Sequence, residues 1–144
     1  MAANTSPIFG LVPNNSWAKV TGVDGGTDGT DADVQLIMTA GVEGANVLRL
    51  ILQPISTSGS TTTSTAAARI YLNNGAAVGT GTNNLLFREH KLIATAVDVA
   101  ATTDAKAVLI PMNFVMKASY KLYIGITAMA ANTQWNVLAE YMDY

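Results

Sequence analysis

The sequence is poor in the side chains from which catalytic sites are built. Its 144 residues include no cysteine and one histidine, and only 12% are charged. The absence of cysteine excludes a fold held by disulfides. A catalytic site brings acids, bases or nucleophiles with perturbed pKa values together, and this composition offers few of them. We therefore expect a structural or binding role, with no enzymatic activity and no cofactor.

Clusters of positive charge and long apolar runs are also missing. The formal net charge is -2, and the 8 Lys and Arg residues are scattered, with their closest grouping at Arg88–Lys91. Nucleic-acid binding requires clustered basic residues, so we expect no nucleic-acid partner. The apolar segments reach roughly five to eight residues, whereas a membrane-spanning helix needs about 20. Met1–Gly10 also lacks the pattern of a signal peptide, and we expect no membrane partner.

The sequence does contain a high fraction of apolar residues, interrupted by residues that form turns. Hydrophobic residues make up 49% of the chain, its mean hydropathy is +0.27, and Gly, Asn and Thr recur between short apolar segments. With so few charges, such a chain has difficulty covering itself with polar surface. We infer burial in an oligomer or a larger assembly. A monomer coated with Thr, Asn and Ser is the alternative.

Short segments in which apolar and polar residues alternate predict an all-β fold. The segments are Trp17–Gly22, Val34–Thr39, Ala45–Gln53, Ala67–Asn73, Leu85–Ala94, Lys106–Met112, Ser119–Thr127 and Gln134–Asp143. The segment Leu85–Ala94 has charged residues in its middle, so a short helix is its alternative. We expect Pro54 to end the third segment, and Ser56–Thr65 to form a long flexible loop that buries nothing.

About eight strands without helical crossovers predict an antiparallel β-sandwich that resembles a jelly roll. An immunoglobulin-like sandwich is the nearest alternative, but the pair of cysteines that brackets a Trp in that fold is missing. By length, the chain forms one domain with one core. We assign residues 16–144 to this single β-sandwich domain, and residues 1–15, which include Pro7 and Pro13, to an extended N-terminal arm.

A loop rich in Asp and Gly is the strongest local motif. It contains four carboxylates within ten residues, at Asp24, Asp28, Asp31 and Asp33. Oxygen ligands at such density suit Ca²⁺, but the spacing is not that of an EF-hand. The alternative is a solvated turn in which Asp and Gly satisfy backbone groups, and we favour this second interpretation, without a metal. His90 has no placeable Ser or Asp partner, so we assign it no catalytic role.

Aromatic residues are the best candidates for contact with a partner. Trp135 lies on the more apolar face of its segment, which predicts a core position. Tyr71 and Tyr123 lie on the more polar faces of theirs, which predicts an outward orientation and contact with a partner. Tyr144 follows the last predicted strand, and we expect it to be held in a sheet or an interface. Ile8 and Phe9 in the arm complete the predicted partner-binding set.

The order and spacing of several short motifs resemble those of the capsid decoration (cement) proteins of tailed bacteriophages. The motifs span nearly the whole chain: Ala2–Phe9, Ala68–Gly75, Thr82–Phe87, Pro111–Phe114, Tyr120–Tyr123 and the closing stretch from Trp135 to Tyr144. None of them is catalytic. The Asp-rich loop and the Ser/Thr-rich loop have no counterpart in the resemblance, and no binding residue carries over from the family.

The resemblance implies a virion protein, made in the host cytoplasm, that sits on the outer capsid surface. Such a protein is a β-sandwich, often a homotrimer at threefold axes, and it clamps neighbouring major capsid subunits. The alternative function is a receptor- or carbohydrate-binding module of a phage head fibre or tail, which would use exposed aromatic residues and a Ca²⁺ at the Asp-rich loop.

Overall fold

The computed structural model describes residues 12–100 and 105–144, which form ten β-strands and one short 3₁₀ turn. The 3₁₀ turn covers Gly81–Asn83. The strands are β1 (Val12–Val20), β2 (Gln35–Thr39), β3 (Ala45–Ser56), β4 (Ser60–Thr62), β5 (Ala66–Asn73), β6 (Asn84–Leu92), β7 (Ala96–Asp98), β8 (Val108–Met116), β9 (Lys121–Ile126) and β10 (Thr133–Asp143). In these residues, no helix is long and apolar enough to cross a membrane.

Eight of the strands form two four-stranded antiparallel sheets. Sheet I has the order β1-β10-β3-β8, sheet II has the order β2-β9-β5-β6, and β4 and β7 pair separately. The pairing is nested, because β1 pairs with β10, β2 with β9, β3 with β8 and β5 with β6. A long hairpin rolled up in this way is a jelly roll. The predicted antiparallel β-sandwich with jelly-roll character is confirmed.

The core lies between the two sheets and is filled by one residue in two along each central strand. From sheet I it takes Leu50 and Leu52 of β3 and Trp135 of β10, and from sheet II it takes Ile70 of β5 and Ile124 of β9. Each such side chain contributes roughly 1.5–3 kcal/mol by leaving water. Trp135 is 1% exposed, which confirms its predicted core position.

The first strand begins earlier than the sequence indicates. Residues 12–15, assigned to the arm, form the first part of β1, where Val12 lies opposite Asp143 of β10. Pro13 fits because β1 is an edge strand, so a missing N–H disrupts no central ladder. The remainder of the predicted arm, with Ile8 and Phe9, lies outside the described residues.

Proline does not end β3, contrary to the prediction. Pro54 lies within the strand, opposite Trp135 of β10. On the other side of β3, the pairing with β8 stops at Leu52, which faces Val108. The proline is therefore placed where β3 has lost one of its two neighbours, and its missing N–H removes no bond of the β3–β8 ladder.

Strands form in two segments for which the sequence allows a helix or indicates a loop, Leu85–Ala94 and the Ser/Thr-rich segment. Asn84–Leu92 is strand β6, so the helix alternative for this region is wrong. Ser60–Thr62 forms β4, which pairs with β7. Next to it Thr63 is 2% exposed, and its hydroxyl accepts a hydrogen bond from the Thr95 N–H at 2.9 Å. The prediction that Ser56–Thr65 is a loop that buries nothing is therefore wrong, because pairing with a distant segment, which composition alone does not reveal, forms β4 and buries Thr63.

Candidate interaction surface

The outer face of sheet II is covered by the connection between β1 and β2. The Asp24 N–H donates to the Ile126 carbonyl at 2.8 Å and ties this connection to the end of β9. Beneath it, Tyr71 is fully buried and Tyr123 is 8% exposed, and both pack against Val34. The prediction that these tyrosines are exposed is wrong. Alternation placed them correctly on the outer face, but the connection folds over that face and removes them from solvent.

Asp24 is the centre of the contacts that hold this cover. Its carboxylate is 1% exposed and accepts a hydrogen bond from the Tyr71 hydroxyl at 2.6 Å. The Arg69 guanidinium lies 3.9 Å from the same carboxylate and donates to the Gly26 carbonyl. A Cβ on Gly125 would come within 2.4 Å of the Asp24 carboxylate. Glycine at this position of β9 therefore provides the room that the buried carboxylate needs.

Burial changes the acidity of the two covered tyrosines. Desolvation is the main cause that raises the pKa of Tyr71, and its hydrogen bond and charge interaction with Asp24 raise this pKa further. Desolvation alone raises the pKa of Tyr123. Burial therefore favours the neutral form of both phenols, which pack the cover against the sheet.

The other carboxylates of the loop serve its backbone. Asp28 accepts hydrogen bonds from the Thr30 hydroxyl at 2.8 Å and from the Thr30 N–H at 3.1 Å, which lower the pKa of Asp28. Asp31 accepts from the Asp33 N–H at 2.9 Å and from the Gly25 N–H at 3.2 Å. Within residues 12–100 and 105–144, no three Asp, Glu or His side chains are grouped to hold a metal ion. The structure shows these side chains folding the loop.

The outer face of sheet I, in contrast, is open in the described part of the chain. One apolar row crosses it, because Trp17 lies opposite Leu138, Leu138 opposite Ile51, and Ile51 opposite Leu109. Trp17 is 69% exposed and Leu109 is 54% exposed, while the two central residues are half-buried. We call these four residues the apolar row. Contiguous exposed apolar surface of this kind marks interaction sites.

Polar residues flank the apolar row on both sides. On one side, Arg49 donates to Glu140 at 2.5 Å, and this hydrogen bond is the main cause that raises the pKa of Arg49. On the other side, Lys19, Asn136 and Gln53 lie opposite one another across β1, β10 and β3. With Trp17, Leu138 and Ile51 of the apolar row, these three residues line a shallow cavity of about 320 Å³. An apolar centre with a polar rim is the usual composition of a protein interface.

Tyr144 lies outside this surface. Its N–H donates to the Gly44 carbonyl at 3.3 Å, just beyond the end of β10, and its side chain is half-buried. Contact between Tyr144 and a partner stays a prediction. The apolar row has a signal in the sequence that the predicted partner-binding set does not include: Leu138 and Ile51 occupy the outward positions of two alternating strands, where a solvated face carries polar residues.

No protein-family model matches the chain, and no curated protein matches its sequence. By structure, it is similar to a chain from the virus-like particle of the extra small virus of the giant freshwater prawn Macrobrachium rosenbergii. The identity is 10%, the TM-score is 0.34, and 99% of this chain and 87% of that chain are covered.

It is also similar to a chain from infectious bursal disease virus, Gx strain. Here the identity is 17% and the TM-score is 0.32, with 99% of this chain and 36% of that chain covered. Similarities this distant assign no function to the present chain.

Proposed function

We propose that this chain is a virion structural protein that decorates the outside of a bacteriophage capsid and stabilises contacts between major capsid subunits. The observation that carries this assignment is the apolar row, which crosses the open face of sheet I from one edge strand to the other. Trp17 is suited to anchor an interface, because a large exposed indole gains much from burial at low cost in conformational entropy.

The jelly roll supports the same assignment, since this architecture is common in viral capsid and lectin domains. The two sheets differ in a way that suits a shell component: the β1–β2 connection covers Tyr71 and Tyr123 on the outer face of sheet II, although Leu36 at its edge is 44% exposed, and sheet I presents an open surface. The few charged residues also favour assembly, because the desolvation of charges opposes burial at the centre of an interface.

Decoration would stabilise a shell through repeated, individually modest contacts. Once one contact of a copy is made, each further contact is effectively intramolecular, so the total affinity exceeds that of any single contact. The placement on the outer surface, implied by the family resemblance, remains a prediction. The homotrimer implied by the same resemblance is an alternative to a pair of copies, and the mass in solution decides between them.

The test is to purify virions of the virus that encodes the chain and to measure its copy number by quantitative mass spectrometry. We expect a copy number comparable to that of the major capsid protein, and capsids lacking the chain should release their DNA at lower temperature. Add-back to such capsids should be impaired by Trp17→Lys and unaffected by Val42→Lys, since Val42 is 88% exposed but lies in the turn between β2 and β3. Absence of the chain from virions would contradict the function.

A carbohydrate-binding module of a head fibre or tail is the second candidate, and one observation favours it. Trp17 stands beside Asn136, Gln53 and Lys19 in the cavity of about 320 Å³, and an aromatic face flanked by hydrogen-bonding groups suits a sugar ring. Reproducible binding on a glycan array that is lost in Trp17→Ala would support this candidate. The Ca²⁺ site that was expected to accompany this candidate has no support in the described residues, where the loop carboxylates are not grouped around one point.

A further inference from the structure

The open face of sheet I is arranged so that it complements itself. Its two central strands, β10 and β3, carry partners of matching chemistry at the same level along the strands. Leu138 lies opposite Ile51, Glu140 opposite Arg49, and Asn136 opposite Gln53. On the two edge strands, Trp17 of β1 lies opposite Leu138 and Leu109 of β8 lies opposite Ile51, and these two residues complete the apolar row.

A two-fold rotation about an axis that runs along the strands, between β10 and β3, exchanges these positions. When a second copy is placed face to face by this rotation, Leu138 meets Ile51 of the second copy and Glu140 meets its Arg49. Asn136 meets its Gln53, and Trp17 meets its Leu109. A two-fold interface requires such reciprocity, in which residue i contacts j and j contacts i.

We infer that the partner of this face is a second copy of the same chain, paired through sheet I across a two-fold axis parallel to β3 and β10. This inference rests on the proposed function and names a partner for the open face. Two decorating copies bound to neighbouring capsid subunits would link those subunits by pairing with each other. The charges at the centre of the interface are complementary, because each copy brings the carboxylate of Glu140 and the guanidinium of Arg49, while Lys19 lies on the edge strand β1 at the rim. The four groups can then form one network in place of two separate ion pairs.

The dimensions of the face suit a moderate interface. Four strands about 4.8 Å apart span roughly 19 Å, and eleven residues of β10 at about 3.3 Å each span roughly 36 Å. The face therefore covers on the order of 700 Å², close to the ~800 Å² that each partner contributes to a standard interface. Two sheets can pack face to face about 10 Å apart with their strands nearly aligned, as the rotation requires.

The decisive experiment uses charge reversal and measures mass by light scattering over a range of concentrations. The unmodified chain should reach twice its mass of 15.0 kDa. Glu140→Arg places four guanidinium groups at the interface of a pair, and Arg49→Glu places four carboxylates there. Each variant alone should dimerise at least about tenfold more weakly, because like charges are brought together.

Mixing the two variants separates an interface from a role within one chain. In a mixed pair, each Arg of the Glu140→Arg copy faces a Glu of the Arg49→Glu copy, so an equimolar mixture should recover the dimer. Inside each single chain the like charges remain, so a purely intramolecular role predicts no recovery. A chain that stays monomeric at every concentration, forms a trimer, or shows no recovery on mixing would overturn the inference, whereas its presence in virions would be unaffected.

Chemical cross-linking of cysteine variants tests the same pairing without the charge variants, in case one of them fails to fold. Because the chain has no cysteine, copies with Leu138→Cys and copies with Ile51→Cys can be mixed and joined with a bis-maleimide linker of about 10 Å, the spacing of packed sheets. The mixture should be joined in high yield. Copies with Val42→Cys are the control and should not be joined, and equal yields for the two sets would contradict the proposed pairing.

Discussion

At the scale of single residues, the contact between Tyr71 and Asp24 holds the cover of sheet II in place. Both side chains are buried, and the hydroxyl donates to the carboxylate at 2.6 Å. A buried carboxylate is stable only while hydrogen bonds replace the water it has lost. Besides Tyr71, Asp24 has the Gly26 N–H at 3.1 Å and the more distant Arg69. Loss of the phenol therefore leaves the carboxylate undersatisfied.

Tyr71→Phe should lower the free energy of unfolding at pH 7 by about 1–3 kcal/mol, because it leaves a buried acceptor without its donor. The difference in the free energy of unfolding between the original chain and Tyr71→Phe should narrow above about pH 10. The pKa of Tyr71 is raised in the folded state, so its contribution is complete below the ordinary pKa of about 10 and is lost as pH rises toward the folded-state value.

Urea denaturation of both proteins between pH 7 and 11 measures this difference. Tyr144→Phe is the control, because it removes a phenol that does not contact Asp24, and it should change stability at pH 7 by less than about 0.5 kcal/mol. A gap between the original chain and Tyr71→Phe that stays constant to pH 11 would show that the phenol is not stabilised in its neutral form.

At the scale of elements, the strands of the two sheets follow largely from the sequence, whereas the short pair β4–β7 and the connections do not. Alternation within β3 and β10 specifies which residues face the core, because a strand displays that choice within its own few residues. The cover over sheet II depends on contacts between residues far apart in the sequence, such as Asp24 with Tyr71 and with Ile126. Composition predicts a turn in the β1–β2 connection but not the surface on which that turn lies.

The apolar row, like the cover, depends on contacts between residues far apart in the sequence. Outward apolar residues on single strands are ordinary, and Trp17 or Leu109 alone indicates nothing. Their alignment into one row depends on the register between four strands, and two register shifts occur in the pairings of β3. Sequence patterning could not fix that register, because each shift moves the partners of every later residue.

Calcium should have no effect on the stability of the Asp-rich loop. Asp24, Asp28 and Asp31 each satisfy a different set of donors, so converging them on an ion would break bonds that fold the loop. We expect the unfolding temperature to be the same in EDTA and in millimolar CaCl₂, as measured by differential scanning fluorimetry. A rise in Ca²⁺ would reveal binding to the folded state and would favour the carbohydrate-binding alternative.

At the scale of the whole molecule, low net charge and one open face act together. The charge is -2 and the sequence pI is about 5.1, so electrostatic repulsion between copies is weak and vanishes near pH 5. Net charge then opposes apolar contact through sheet I only weakly. If copies pair through the apolar row, association in solution should depend on that face.

Solubility near pH 5 should respond to a charge on that face more strongly than to the same charge elsewhere. Leu109→Lys and Val42→Lys change the net charge equally, and both replace exposed residues, but only Leu109 belongs to the apolar row. Turbidity titrations from pH 4 to 7 should show less precipitation for Leu109→Lys than for Val42→Lys. Equal behaviour would indicate that net charge alone controls precipitation.

The cover over sheet II also limits how far such molecules can stack. A sandwich with both flat faces bare could add copies on each side without end and would grow into a filament. Here residues 24–33 occupy one of the two faces, so stacking through flat faces stops after a single layer is added. A protein with this design can accumulate to high concentration without forming filaments by stacking of its sheet faces.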